Sequence, residues 1–214
     1  MYQPPLFRED RLDVLHGLMR AHPFGLIVSV GEDGEPVANA IPLLLDAQAG
    51  AKGTLRGHLA RANPHWKLLD ASARALVVFQ GPYSYVTPSW YESKKEHGKV
   101  VPTWNYAIVQ ARGSVKIHQD APWLRDHVGA LSDAHEARRA DPWAVSDAPE
   151  SFIDSQLKGI VGFEIEITSL EGKWKVSQNR PVPDRAGVAS GLASEGGERN
   201  AAMVALVRDY GGLS

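Results

Sequence analysis

The sequence predicts a mainly β protein of the α+β kind, an antiparallel barrel with helices at its periphery. Three observations carry that reading. About six or seven runs rich in Val, Ile, Leu and aromatic residues are separated by turns that draw on 20 glycines and 14 prolines. Two of those turns, around Asp33-Gly34 and Glu171-Gly172, carry hairpin signals. Helical periodicity is confined to the start, the gaps between late strands and the end, so the regular strand-helix alternation of a doubly wound sheet is missing. The 214 residues, 43% hydrophobic, suffice for one core. A single domain over 1–214 is expected, with an N-terminal helix within about 1–22 and a C-terminal helical appendage over about 181–214.

Each element has a local reason. Leu12, Leu15, Leu18 and Met19 recur at helical spacing, and His22-Pro23 ends that helix because a residue before proline avoids the helical region. Phe24 to Val30 and Pro36 to Leu45 read as two strands joined through Glu32-Asp33-Gly34-Glu35. Thr54 to Leu59 is a third strand. Asn63-Pro64 then supplies a preferred N-cap and a proline at the first helical position for a short helix through Leu69. Arg74 to Gln80 is a nearly all-apolar strand, and Val100 to Ile117 is extended again, with Gly113 as a bulge or bend. Asp120-Ala121-Pro122 caps a helix carrying Trp123, Leu124, Val128 and Leu131. Asp147 to Glu150 has the acceptor and the glutamate of a capping box before Phe152, Ile153 and Leu157. Phe163, Ile165 and Ile167 alternate with polar residues, and Glu171-Gly172 is read as turning that strand back into Lys173 to Val176. A helix around Asp184 to Leu192, a break at Gly196-Gly197 and an apolar-periodic helix through Met203, Leu206 and Val207 close the chain.

Composition excludes several classes of chemistry. Lys and Arg total 23 against 25 Asp and Glu, a net charge of -2, so the molecule as a whole lacks the basic field of a non-specific nucleic-acid binder. With no cysteine there is no disulfide, thiolate metal site or cysteine nucleophile. The apolar runs fall far short of the ~18 residues of a membrane span, and the polar, charged start through Arg8-Glu9-Asp10 leads us to expect a cytoplasmic protein. There is no Gly-rich dinucleotide fingerprint, P-loop or nucleophile elbow. His135-Glu136 lacks the second histidine of a zinc-protease motif, and the spacing of His58 and His65 suits no standard ligand pair, so no metal site and no catalytic residue is predicted.

Two stretches could hold a ligand. Arg61 precedes a helix whose free amides begin near Asn63, and guanidinium and helix start both favour a phosphate; an ordinary capped helix with an exposed arginine explains the same residues. The segment 81–106 concentrates Tyr83, Tyr85, Trp90, Tyr91, Trp104 and Tyr106, and Gln80, Asn105, Gln110, Gln178 and Asn179 lie in or beside strands. Aromatic faces with amides at the edge suit a planar ring such as isoalloxazine, although the same aromatics would also plug barrel ends or a dimer interface. The basic loop Lys94 to Lys99 is either a nucleic-acid contact or a solvated turn.

The runs GTLRGHLARANPHWK, GPYSYVTPSWYESKKEHGKVVPTWNYAIVQARG, IVGFEIEITSLEGKWKVSQNR and DRAGVASGL, spread from about His22 to Leu192, are together similar to the FMN-binding negative transcriptional regulator family, the PaiB-type proteins. The resemblance implies a split β-barrel related to pyridoxamine-phosphate oxidases and small flavin reductases, a homodimer binding FMN at the subunit interface, and a bacterial repressor with promoter DNA as partner. It implies His58, Arg61 and Asn63 on the phosphate side, Thr103, Trp104 and Asn105 near the ring or ribityl chain, and Gln178 and Arg180 as further cofactor contacts. Arg61 stands largely alone as the basic residue after the third strand, so FMN is expected to be held weakly or transiently. A flavin-dependent oxidoreductase or flavin reductase is the alternative function.

Overall fold

The computed structural model describes residues 1–31, 33–72 and 74–213. Glu32 of the expected hairpin turn and Ser214 of the C-terminal appendage lie outside the described residues. In chain order the elements are β1 (Arg8–Glu9), α1 (Leu12–Ala21), β2 (Phe24–Val30), β3 (Pro36–Pro42), β4 (Leu44–Asp46), β5 (Thr54–Ala60), α2 (His65–Ala71), β6 (Ala75–Val86), α3 (Ser93–His97), β7 (Thr103–His118), α4 (Ala121–Glu136), α5 (Glu150–Lys158), β8 (Ile160–Lys175), α6 (Val182–Glu195) and α7 (Glu198–Gly211). This is the expected class, an antiparallel, mostly-sheet split barrel with helices at its periphery. The chain divides into two compact units, one built from His16–Phe79 and Gln110–Leu170, the other from Met1–Leu15, Gln80–Val109 and Glu171 onward.

In the first unit the strands are ordered β3-β2-β6-β7-β8-β5-β4. The predicted first hairpin is present, antiparallel from Phe24↔Pro42 to Val30↔Pro36, with Gly34 at a φ of +83° in its turn. Alternation along the strands sends Ile27, Val77, Leu55, Phe163 and Ile165 into a core where each is fully buried, worth about 1.5–3 kcal/mol apiece. Leu124 of α4 packs with Ile153 and Leu157 of α5 in a second cluster. The opposite face of β2 is apolar too, and leaves Phe24, Leu26 and Val30 exposed.

Three sequence expectations are revised in this unit. The run Pro36 to Leu45 is two strands, because the Leu43 amide donates to the carbonyl of Pro23 and turns its side chain into the core. Asn63 serves as cap, its Oδ1 accepting from the His65 amide at 3.0 Å, although regular helix is counted from His65. Asp147 does not cap α5; its carboxylate turns back to accept from the Ala144 amide at 2.8 Å and closes a 3-10 turn over Val145–Asp147.

In the second unit the expected second hairpin is absent. β8 runs unbroken from Ile160 to Lys175, and Arg8↔Lys173 and Glu9↔Gly172 pair β1 against it. Gly172 is extended, and its value is space: a Cβ there would lie 2.2 Å from the Leu15 side chain and 2.9 Å from the Glu9 carbonyl. Glu9 is buried, and hydrogen bonds from Arg11 hold its carboxyl well below the usual carboxylate range despite that burial. α6 and α7 bury Val188, Leu192, Met203 and Val207. The 3-10 turn Pro88–Trp90 is followed by α3, which makes helix of Lys94 to His97 in the basic stretch expected to be a loop. They are tied to α6 through buried Asp184, whose oxygens accept from the Ser93 amide at 2.9 Å and its hydroxyl at 2.6 Å.

Candidate functional site

The period of two along β6 and β7 inverts the usual rule for a solvated strand. Ser84 on β6, and Asn105, Ala107 and Val109 on β7, point inward, whereas Tyr83, Tyr85 and Trp104 point outward and are exposed. Trp104 meets Tyr85 edge-on at 5.7 Å and Tyr83 at 6.2 Å, and 51% of it remains accessible. A cavity of about 620 Å³ opens on this wall, bounded by Tyr2, Gln80, Tyr83, Trp104, Tyr106 and Lys173 among others.

Beside it, the end of β8 is fastened by polar contacts. Lys175 Nζ donates to Thr103 Oγ1 at 2.5 Å and to the Trp104 carbonyl at 2.6 Å. Burial lowers the Lys175 pKa, and the charges of Arg180 and Lys173 lower it further. Buried Asn105 donates to Ser177 Oγ at 2.9 Å, which holds Ser177 at a φ of +69°, unusual for a residue with a side chain. Gln178 accepts from the Val176 amide at 2.7 Å and donates to the carbonyl of Leu6 at 3.3 Å. The Arg180 guanidinium lies 4.6 Å over the ring of Tyr91. Of the expected residues, Thr103, Trp104, Asn105, Gln178 and Arg180 thus share the second unit, and Trp104 alone of the five lines the cavity.

His58, Arg61 and Asn63 belong to the first unit. His58 Nδ1 lies 3.1 Å from His127 Nε2, and Trp123 stacks on His127 at 5.2 Å and on His118 at 4.1 Å. Burial depresses the pKa of both paired histidines, His127 down to about 4, with the His58 and Arg56 charges adding to its shift. Each nitrogen of the Arg61 guanidinium has a protein partner: Nε donates to the Lys158 carbonyl at 2.9 Å, one terminal nitrogen to Gln119 Oε1 at 2.7 Å and the other to the Ile160 carbonyl at 3.0 Å. Asn63 begins a chain whose proton directions follow from one backbone amide. Since its Oδ1 accepts from His65 N–H, its Nδ2 donates to Asn39 Oδ1 at 3.2 Å. Asn39 Nδ2 then donates to His65 Nδ1 at 2.8 Å, which leaves the proton on Nε2, donated to Ser29 Oγ at 2.8 Å. His65 is therefore neutral, in keeping with the depression of its pKa by burial.

An isoalloxazine needs a flat apolar wall and hydrogen-bonding groups at its edge, and the Trp104 cavity has both in Gln80, Lys173 and four aromatic rings. The residues expected on the phosphate hold their polar atoms on protein partners. Sequence reasoning missed Lys173, Lys175 and Ser177, because a hairpin at Glu171-Gly172 would have scattered residues that one continuous strand keeps on a common line. The signal available was the Lys-Trp-Lys spacing, which in an unbroken strand puts both lysines opposite Trp174. Among the described residues no group of three or more His, Asp or Glu could hold a metal ion, and no helix is long and apolar enough to cross a membrane.

The fold defines the class first. An FAD- and heme-binding protein from Mycobacterium smegmatis superposes with a TM-score of 0.58 at 18% identity, over 78% of this chain and 73% of that one, a likeness of fold alone. The family follows from sequence. Residues 1–169 match the family described as "Putative FMN-binding domain", and the chain belongs to that family, whose description names the expected cofactor. An uncharacterized protein of Emericella nidulans is 35% identical over 99% of this chain and 98% of its own length. Protease synthase and sporulation protein PAI 2 of Bacillus subtilis is 30% identical over 98% of this chain and 97% of its own. Relatives therefore occur in fungi as well as bacteria.

Proposed function

We propose that this protein is an FMN-binding, PaiB-like transcriptional repressor, one domain that acts as a cytoplasmic homodimer on promoter DNA. The observation that carries the flavin half is the open aromatic wall at Trp104, where Tyr83, Tyr85 and Trp104 stand exposed side by side at the mouth of a cavity. On this reading Trp104 faces the ring and Thr103, Asn105, Gln178 and Arg180 shape the strand ends around it; His58, Arg61 and Asn63, expected as phosphate contacts, would have to exchange their protein partners for phosphate oxygens. Bound FMN supplies a redox-active, visibly absorbing ring; the chain supplies its wall and excludes water from it. The regulatory half draws on the likeness to a protein named for protease synthesis and sporulation, and on α3 anchored at Asp184, which leaves its Lys94 and Lys95, and Lys99 just beyond it, exposed. The dimer draws on the apolar outer face of β2.

The test is an absorbance scan of purified protein with added FMN, followed by promoter binding over a salt series. A yellow, saturable complex and DNA affinity that falls steeply with salt are expected. Colourless protein at micromolar FMN rejects the flavin half, and salt-insensitive or absent binding rejects the repressor. The net charge of -2 favours a second reading, a flavin-dependent oxidoreductase or flavin reductase, for which NAD(P)H turnover with FMN in the absence of any DNA shift is the expected result.

A further inference from the structure

Lys173 is out of place in the aromatic cavity. The residue is 8% exposed, and its ammonium sits 5.2 Å from the ring centre of Tyr2 and 5.5 Å from that of Tyr106. Among the described residues it has no carboxylate within ion-pair distance, although a lysine almost never buries unless paired. Its strand neighbour on the same face, Lys175, is a second cation, engaged with Thr103 and the Trp104 carbonyl, and a third, Arg199, lies 4.8 Å over Tyr83 at the cavity edge. In a chain that is acidic overall, this wall therefore gathers positive charge, and the carboxylate nearest to Lys173 along the strand, Glu171, is paired at 2.9 Å with the N-terminal ammonium of Met1, itself a cavity residue. Ring faces hold a buried ammonium only in part, and an anion brought to the same point would complete the pairing. The cavity of about 620 Å³ is of the size that takes small molecules, and four rings offer flat faces to what enters.

We propose that this cavity binds a flat aromatic ring system with an anionic edge, the rings stacking on Trp104, Tyr83 and Tyr106 and the anion meeting Lys173, with Gln80 hydrogen-bonding the remaining edge. Two sources have that chemistry: an aromatic carboxylate as substrate or effector, and the electron-rich pyrimidine edge of the flavin itself. The second rests on the flavin reading above; the first does not.

The test is calorimetric titration of the full chain with 2-naphthoate, with 2-naphthylmethanol as the neutral ring and cyclohexanecarboxylate as the anion without one. Naphthoate should bind at least about tenfold more tightly than either control, and Lys173→Gln should remove that margin while Lys173→Arg keeps most of it. An unchanged unfolding temperature in Lys173→Gln shows that the loss is not one of folding. Equal binding of the three probes, or full naphthoate affinity in a folded Lys173→Gln, overturns the proposal. Riboflavin, which has the ring and no phosphate, separates the sources. Displacement of naphthoate by riboflavin assigns the cavity to the flavin ring, and its persistence under both riboflavin and FMN assigns it to an aromatic carboxylate. Because naphthoate is titrated without flavin, a protein that fails to bind FMN leaves this outcome readable.

Discussion

At the scale of single residues, burial decides which polar groups the fold can keep neutral. His127 has a pKa of about 4 against an ordinary 6.5, so on acidification the unfolded chain takes up the proton first. The stability it contributes is complete above 6.5 and is lost as the pH falls towards 4, by roughly 3 kcal/mol in total. Urea midpoints at pH 7 and pH 5 should therefore differ in the native protein and differ less in His127→Phe, which keeps an aromatic ring against Trp123 and has nothing to protonate at that position, while buried His58 and His65 keep part of the dependence. Gly113 makes a steric prediction instead. A Cβ there would sit 1.9 Å from the Glu166 carbonyl oxygen, backbone that cannot move aside without breaking the sheet. Gly113→Ala should cost at least about 2 kcal/mol, measured by thermal unfolding. The glycine was legible in the sequence, as a bend; that it marks a close strand crossing was not, because the crossing partner is 53 positions away.

At the scale of elements, the basic stretch from Lys94 to Lys99 shows how one distant carboxylate converts an apparent loop into helix over its first residues. Five residues of helix do not stand alone in water, and α3 is held by the two bonds that Ser93 gives to Asp184. Asp184→Ala leaves a buried amide unsatisfied and should destabilise the segment by about 1–3 kcal/mol. Trypsin should then cut at Lys94, Lys95 and Lys99 faster than in the native protein, with Asp184→Asn intermediate because it retains one acceptor. Equal cleavage rates would show that α3 has other supports. The same lesson applies to β8. Glu171-Gly172 has the composition of a turn, and only pairing with β1 and the packing of Leu15 over Gly172 keep it straight. Hairpin geometry set by local residues, as at Gly34, was predictable; extension set by a partner strand was not.

At the scale of the whole molecule, the exposed outer face of β2 is the feature a monomer would not select. With Phe24 at 67%, Leu26 at 41% and Val30 at 59% exposure, it offers an apolar surface to a second copy. Sedimentation of the native protein should give twice 23.3 kDa, and Phe24→Asp with Leu26→Asp should give the monomer with an unchanged circular dichroism spectrum. A native protein that sediments as a monomer at micromolar concentration removes the homodimer from the proposal.

The sequence by itself determined the mainly β class, the first hairpin, the cap at Asp120 and the terminal helices. Each rests on a period of two or 3.6 or on a turn residue, signals carried by neighbours in the chain. It also named Trp104, which the structure leaves open on its cavity. Tertiary structure alone decided that Arg61 spends its guanidinium on Lys158, Gln119 and Ile160, that Asn63 and His65 share one chain of protons with Asn39 and Ser29, and that Lys173 lies among tyrosine rings. The physical reason is the same in all three. A polar side chain's role is set by the partner it reaches, and long-range pairing of strands, which local residue order does not encode, chooses that partner.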